Sequence, residues 1–150
     1  MKNTSKKIRS GFTLIEMLIV VAIIGILASV VIVGIGPAQK KARDARRAAD
    51  LRQVQTALEL YYGKAGQYPP AATWAALTTA LTIGANAVVT TVPVDPTPLP
   101  RTYKYVSLDG TNYVLMAVLD DPSSNLLTSS LKGTVEGEDC DVVATYCLGL

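Results

Sequence analysis

The 150-residue chain has no histidine, only two cysteines, and no acid in its first eleven residues. Each scarcity excludes something. Without histidine, a serine or cysteine nucleophile lacks its commonest general base. No glycine-rich loop of a phosphate-binding type is present either. The carboxylates are scattered, apart from a group at Glu136, Glu138, Asp139 and Asp141. Nothing here supports catalysis, and the chain reads as a non-enzyme. Cys140 and Cys147 lie close together near the C-terminus. In an exported domain they would form one short disulfide loop; in a cytosolic domain they would be two free thiols.

Charge is missing from a second place. From Met17 through Gln39 no residue is charged. Residues 12–35 form an apolar run of 24 residues, long enough to span a bilayer with some tilt. One carboxylate, Glu16, lies inside that run. An acid at the centre of a bilayer costs roughly 2.5–3.5 kcal/mol on insertion scales, so a chain that keeps one normally supplies a partner. Ahead of the run stand Lys2, Lys6, Lys7 and Arg9. The net charge is +2, but without those four it becomes −2, with ten basic residues against twelve acidic ones. The basic balance is therefore a property of the leader and does not indicate nucleic-acid binding by the whole molecule.

The order of these parts differs from an ordinary secretory signal, in which the apolar region precedes the cleavage site and is discarded. Here the basic stretch ends at Gly11 and the apolar stretch begins at Phe12. Cleavage between them would remove the basic leader and retain the hydrophobic helix, leaving a free amine on Phe12. Glu16 is four residues further on, about 6 Å along a helix axis. Amine and carboxylate could pair within one chain, or between two chains offset by about one turn. Either pairing would offset the cost of desolvating Glu16.

This arrangement resembles the class III signal peptide of type IV pilins and type II secretion pseudopilins. The residues that carry the resemblance are the Lys/Arg leader, Gly11, Phe12, Thr13, Leu14, Ile15 and Glu16, followed by the long apolar helix. The resemblance implies cleavage after Gly11 by a prepilin peptidase and N-methylation of Phe12. It further implies that Glu16 guides the subunit into a growing filament. The implied partners are further copies of the chain, minor pilins and an inner-membrane assembly platform. The implied location is the inner membrane, crossed once with the head outside the cytoplasm, and then a periplasmic or extracellular filament. Charge alone does not set that orientation, because Lys40, Lys41, Arg43, Arg46 and Arg47 follow the apolar run. The resemblance and the cysteine pair decide it, and export favours the disulfide.

The expected fold class is α+β: a long N-terminal helix, half transmembrane and half amphipathic, packed on a small antiparallel sheet. The divisions expected are a leader at 1–11, an assembly helix at 12–37, an amphipathic helix at 38–64 and a head at 65–150. Gly34, Gly36 and Pro37 mark a soft point, because Pro37 cannot donate to the Val33 carbonyl. Beyond it Ala38, Ala42, Ala45 and Ala49 fall on one helical face, and Leu51, Val54, Leu58, Tyr61 and Tyr62 roughly opposite. The alanine face would meet neighbouring subunits, since small residues permit close approach; alanine is also simply the best helix former. Gly63, Gly66 and Pro69-Pro70 end the helix. A short helix is expected around 74–81 and a rigid loop at Val92-Pro93-Val94-Asp95-Pro96. A hairpin of 102–107 with 112–119 turns at Asp109-Gly110. A third short strand is expected at 146–148, and 120–145 is expected to be mostly loop.

Several segments after the anchor extend the resemblance to major pseudopilins. They are Ala42-Arg43-Asp44, Asp50-Leu51, Ala57-Leu58-Glu59-Leu60-Tyr61-Tyr62, Gly66-Gln67-Tyr68-Pro69 and the 92–96 loop. The C-terminal 30 residues depart from that pattern, and the Cys140–Cys147 loop is more similar to a pilin's disulfide-bounded end. Pilus, secretion and competence systems therefore stay open. No cofactor is required by the sequence. Calcium is the one weak candidate, with Glu136, Glu138, Asp139 and Asp141 as oxygen ligands, against a plainly solvated acidic loop. The basic block Lys40, Lys41, Arg43, Arg46, Arg47 and Arg52 would touch lipid headgroups or pair internally with Asp44 and Asp50. DNA phosphate is the weaker alternative, with no aromatic residue interleaved. The competing role is a monomeric binding protein on a pilin-type anchor, including a minor pilin that binds DNA.

Overall fold

A computed structural model describes residues 11–97 and 101–150, without the side chains of 30–34. Lys2, Lys6, Lys7 and Arg9 lie outside the described residues, as do the surroundings of Gly34. Helix α1 spans Leu14–Ala65 and stays helical in its backbone through Gly36 and Pro37. The chain divides into two compact units, one ending at Ala38 and the other running from Gln39 to Leu150.

In the first unit every described residue from 11 to 29 is exposed. Among the described residues no helix is long and apolar enough to cross a membrane.

The second unit is built on the C-terminal half of α1. Asp44, Arg47, Ala48, Leu51, Val54, Ala57 and Leu58 are buried, a spacing of three and four that lines one helical face. Burying Leu51 and Leu58, both without exposed surface, stabilises by about 1.5–3 kcal/mol each. Ala42, Ala45 and Ala49 face out, opposite the packed side, as the alanine periodicity predicts. Tyr62 is a correction to the expected packed face: it is 43% exposed and only stacks its ring against Tyr68, at 4.8 Å. The helix ends where Gly66 takes a left-handed φ of 72° and returns its N–H to the Tyr62 carbonyl at 2.8 Å.

Helix α2, Trp74–Thr82, is capped by Thr73, whose hydroxyl accepts from the Ala76 N–H at 3.2 Å. It turns Leu77 and Leu81 into the core. Strands β1 (Lys104–Val106), β2 (Val114–Val118) and β5 (Thr145–Gly149) form an antiparallel sheet in the order β1-β2-β5. The register sets Tyr105 opposite Leu115 and Met116 opposite Cys147. Side chains alternate across the sheet. Tyr105, Leu115, Ala117 and Tyr146 belong to the core shared with Leu51, Leu58, Leu77 and Leu81. Val106, Val114, Met116 and Cys147 pack on the other face with Cys140, Leu131 and Val135. Both faces are covered, which is why Val114–Ala117 reads as an unbroken apolar run.

The expected hairpin is present and its turn is fixed by Gly110, at φ 77°. The Gly110 carbonyl accepts from the Tyr68 N–H at 2.9 Å, and Asp109 holds the Thr111 N–H at 2.9 Å. The outer edge of β5 is satisfied by Ser130 and Leu131, which bond the Cys147 N–H and carbonyl at 2.9 and 3.1 Å.

Residues 120–145 are more ordered than expected. A 3-10 turn covers Asn125–Ser129. Strands β3 (Thr134–Val135) and β4 (Glu138–Asp139) form a small hairpin. Its two-residue turn, Glu136-Gly137, has positive φ at both positions, 52° and 81°. Strands this short carry no periodicity, so the sequence showed only loop. The Cys140–Cys147 disulfide forms and ties this hairpin to β5.

Two glycines test this packing in opposite directions. A Cβ at Gly149 would collide with the Tyr113 carbonyl oxygen, whereas one at Gly63 would meet nothing within 4 Å. Gly149→Ala is expected to destabilise the head by about 1–3 kcal/mol. Gly63→Ala, inside a helix, is expected to stabilise it by up to about 1 kcal/mol. Thermal unfolding followed by near-UV circular dichroism separates the two; similar midpoints would mean that β5 is not held against Tyr113.

Candidate assembly site and the buried arginine

Helix α1 begins with a reciprocal cap. The Glu16 carboxylate accepts from the Thr13 N–H at 2.8 Å and from the Thr13 hydroxyl at 2.7 Å. In return the Thr13 hydroxyl accepts from the Glu16 N–H at 3.3 Å. This is a capping box, and Thr13-x-x-Glu16 is its sequence signature. The carboxylate that the resemblance assigns to assembly is also a helix cap, which the Thr13-x-x-Glu16 spacing encodes. Phe12, immediately before it, is 79% exposed, and among the described residues nothing lies within 4 Å of a Cβ built at Gly11. Gly11, Phe12 and the Glu16 carboxylate thus lie together at the start of the helix. The following residues, Leu14 to Leu27 among them, leave their apolar side chains without cover in the single chain. A helix apolar all round belongs in lipid or among other helices.

The second site was not foreseen. Arg47, one of the basic block expected to touch headgroups or to pair internally with Asp44 and Asp50, is fully buried and does pair with Asp44. Its Nε and Nη2 donate to the two oxygens of Asp95 at 2.8 and 3.1 Å, a bidentate pair. Nη1 donates to Asp44 at 2.8 Å, and Nη2 also reaches the Thr97 hydroxyl at 2.7 Å. Asp44 then accepts the backbone N–H groups of Asp120 and Asp121 at 2.7 and 3.0 Å. Asp120 pairs with Arg43 at 2.6 Å and with Arg101. One guanidinium on α1 therefore holds the 95–97 loop and, through Asp44, the 120–121 segment. Burial alone would push the Asp95 carboxyl up. The hydrogen bonds from Arg47 and Thr97 outweigh it and hold that carboxyl below its ordinary range. Burial likewise works against the Arg47 charge, and Asp95 and Asp44 more than restore it.

Nothing in one sequence pairs residues 47 and 95. The i,i+3 relation of Asp44 to Arg47 was the only legible part. The Asp50–Arg46 pair forms at 3.8 Å, and Asp50 also accepts from the Tyr103 hydroxyl at 2.7 Å. Lys40, Lys41, Arg46 and Arg52 remain exposed.

The four acidic residues considered for calcium are engaged separately. Glu136 accepts from the Leu108 N–H and Glu138 pairs with Lys104 at 3.2 Å. Asp141 accepts from the Gly133 N–H, and Asp139 from the Asp141 N–H. Among the described residues no group of three or more such side chains is arranged to hold a metal.

Comparison with known proteins bears on the N-terminal site. Residues 6–32 match the family model of the prokaryotic N-terminal methylation motif. The chain is similar to type II secretion system core protein G of Aeromonas hydrophila, with 36% identity over 64 residues. That alignment covers 43% of this chain and 45% of that protein. The same-named protein of Dickeya chrysanthemi is 30% identical over 91 residues, 61% of this chain and 54% of its own length. That of Pectobacterium carotovorum subsp. carotovorum is 31% identical over 88 residues, 59% and 50% respectively. The chain thus spans about half the length of the curated relatives it matches. No solved structure matches. The N-terminal methylation motif and an α+β element order, a long helix followed by a shorter one and small antiparallel sheets, are what this chain shares with the class its matches point to. Over these parts of its length the chain is similar to type II secretion system core protein G, and its N-terminus matches the methylation motif.

The arginine network generates a stability prediction. Arg47→Met leaves Asp44 and Asp95 buried without their cation and is expected to cost about 3–5 kcal/mol at pH 7. The full chain in detergent, unfolded with urea, gives the measurement. The acid dependence follows in sign from Asp95. Its folded pKa is depressed, so its contribution is complete above the unfolded value of about 3.9 and is lost as pH falls through the lower folded value. Arg47→Met should flatten that acid limb. A variant as acid-sensitive as the parent would remove Asp95 from the account.

Proposed function

We propose that the chain is a structural subunit of a pseudopilus-type filament of the type II secretion class, made as a membrane-stored precursor. The observation that carries this reading is the exposed Gly11–Phe12 junction with Glu16 one helical turn beyond it, inside the matched methylation motif. Residues 12–35 anchor the precursor in the inner membrane with the head outside the cytoplasm. A prepilin peptidase cuts after Gly11 and Phe12 is methylated. The subunit then enters the filament from an assembly platform, its apolar helix bundled with those of other copies and of minor subunits. Uncovered apolar side chains along 14–27 support that burial. Gly34, Gly36 and Pro37 are the proposed soft point of α1, whose backbone stays helical through Gly36 and Pro37 in the single chain.

The capping box refines the part given to Glu16. In the precursor the carboxylate is satisfied within its own chain by Thr13. After cleavage the Phe12 amine becomes available one residue away, and a neighbour's amine competes for the same oxygens. A charged amine is the stronger partner in a low-dielectric surrounding.

Intact mass of the membrane-extracted protein tests processing. A chain starting at Phe12 with one added methyl is expected; a chain still starting at Met1 beside an active prepilin peptidase overturns the proposal. Glu16→Ala should be processed but poorly assembled. Glu16→Gln keeps an acceptor for Thr13 and loses the charge. It should fail like alanine if pairing matters, and assemble normally if capping is all that counts. Helix cross-linking in whole cells should yield ladders for a filament and a single band for an anchored monomer.

A further inference from the structure

Residues 11–13 precede helix α1 and belong to no regular element, so the Gly11–Phe12 peptide bond stands just outside the helix. Hydrogen bonds set that boundary. The Thr13 carbonyl accepts the first backbone bond of the helix, from the Met17 N–H at 3.3 Å. One more turn upstream would need the Thr13 N–H on the Arg9 carbonyl and the Glu16 N–H on the Phe12 carbonyl. Both donors are already taken. The Thr13 N–H goes to the Glu16 carboxylate at 2.8 Å, and the Glu16 N–H to the Thr13 hydroxyl at 3.3 Å. The Thr13 hydroxyl also donates to that carboxylate at 2.7 Å, which ties the two side chains together. Extending the helix therefore breaks the box. The sequence offers a rival start: Ser10, a capping type of residue, stands three positions ahead of Thr13. A helix capped there would take Gly11 and Phe12 as its first two residues.

We propose that Thr13 is a positioning residue for processing: its capping box holds the start of α1 at Leu14 and keeps the Gly11–Phe12 bond available to a peptidase. The inference rests on the processing reading given above and adds to it the residue that sets the conformation of the cut bond. A peptidase engages an extended backbone through main-chain hydrogen bonds. A helical turn already spends those groups and must be unwound first. Moving the helix start to Ser10 would make the competent form a minor population. The apparent affinity then falls by the fraction that stays competent, while the chemistry on the bound chain is unchanged. Thr13 thus acts on KM and not on kcat.

The test uses the full-length, isotopically labelled chain in detergent micelles and a purified prepilin peptidase. Thr13→Val keeps the shape of the side chain and removes the capping oxygen. It is expected to raise KM at least about threefold with kcat unchanged, and to move the carbon shifts of Gly11 and Phe12 toward helical values. Thr13→Ser should match the parent in both readouts. Adding Ser10→Ala to Thr13→Val removes the rival cap and should bring KM back toward the parent. A parental KM in Thr13→Val, a fall in kcat, or a raised KM with unmoved shifts overturns the inference. So does a double variant no better than Thr13→Val. An uncut parent beside a control prepilin that is cut overturns the processing reading, and this inference with it. A cut parent with an indifferent Thr13→Val overturns this inference alone.

Discussion

A guanidinium with no exposed surface cannot remain unpaired, and the head is organised around that requirement. Arg47 occupies a position on α1 where the helical period alone would place an apolar residue, between Asp44 and Leu51 on the packed face. Its charge brings in Asp95 from the loop after α2, and Thr97 with it. Asp44, beside it, captures the two backbone N–H groups where the chain leaves β2. These are segments without regular structure, and side-chain contacts with the helix take the place of ladder hydrogen bonds. Apolar burial supplies the cohesion of the core. The ion cluster specifies where two irregular connections lie, since any displacement would strand a charge in low dielectric.

The remaining connections use the same economy of polar contacts at chain reversals. Tyr105 donates to the Pro69 carbonyl at 2.8 Å, and Tyr68 to Glu59 at 3.1 Å. Burial, reinforced by Glu59, pushes the Tyr68 hydroxyl up to about 12, so it stays a donor at any physiological pH. The disulfide does for the C-terminal hairpin what hydrogen bonds do for the other loops. It links β4's end to β5 across a face that would otherwise be thinly covered. In the first unit such compensation is absent among the described residues: apolar side chains stand uncovered from Leu14 to Leu27, and the one acid is satisfied by a local cap. One unit buries its own apolar side chains, and the other leaves its apolar side chains to be covered from outside the single chain.

The sequence by itself determined the N-terminal segment and the near-neighbour features of the head. The uncharged run from Met17 to Gln39, the glycine–phenylalanine junction and the glutamate four residues on are local features, readable because chemistry and spacing sit within one or two turns. Helical periodicity placed the Ala42/Ala45/Ala49 and Leu51/Val54/Leu58 faces, and turn chemistry placed the Asp109-Gly110 hairpin, since both depend on near neighbours. The tertiary structure decided what pairs across 48 residues. Arg47 and Asp95 attract each other only once the core has brought them together, and in the sequence Arg47 is indistinguishable from the exposed Arg46 beside it. The two-residue strands β3 and β4 likewise have no period to read; the Glu136-Gly137 turn pairs them, and Cys140 ties them to β5.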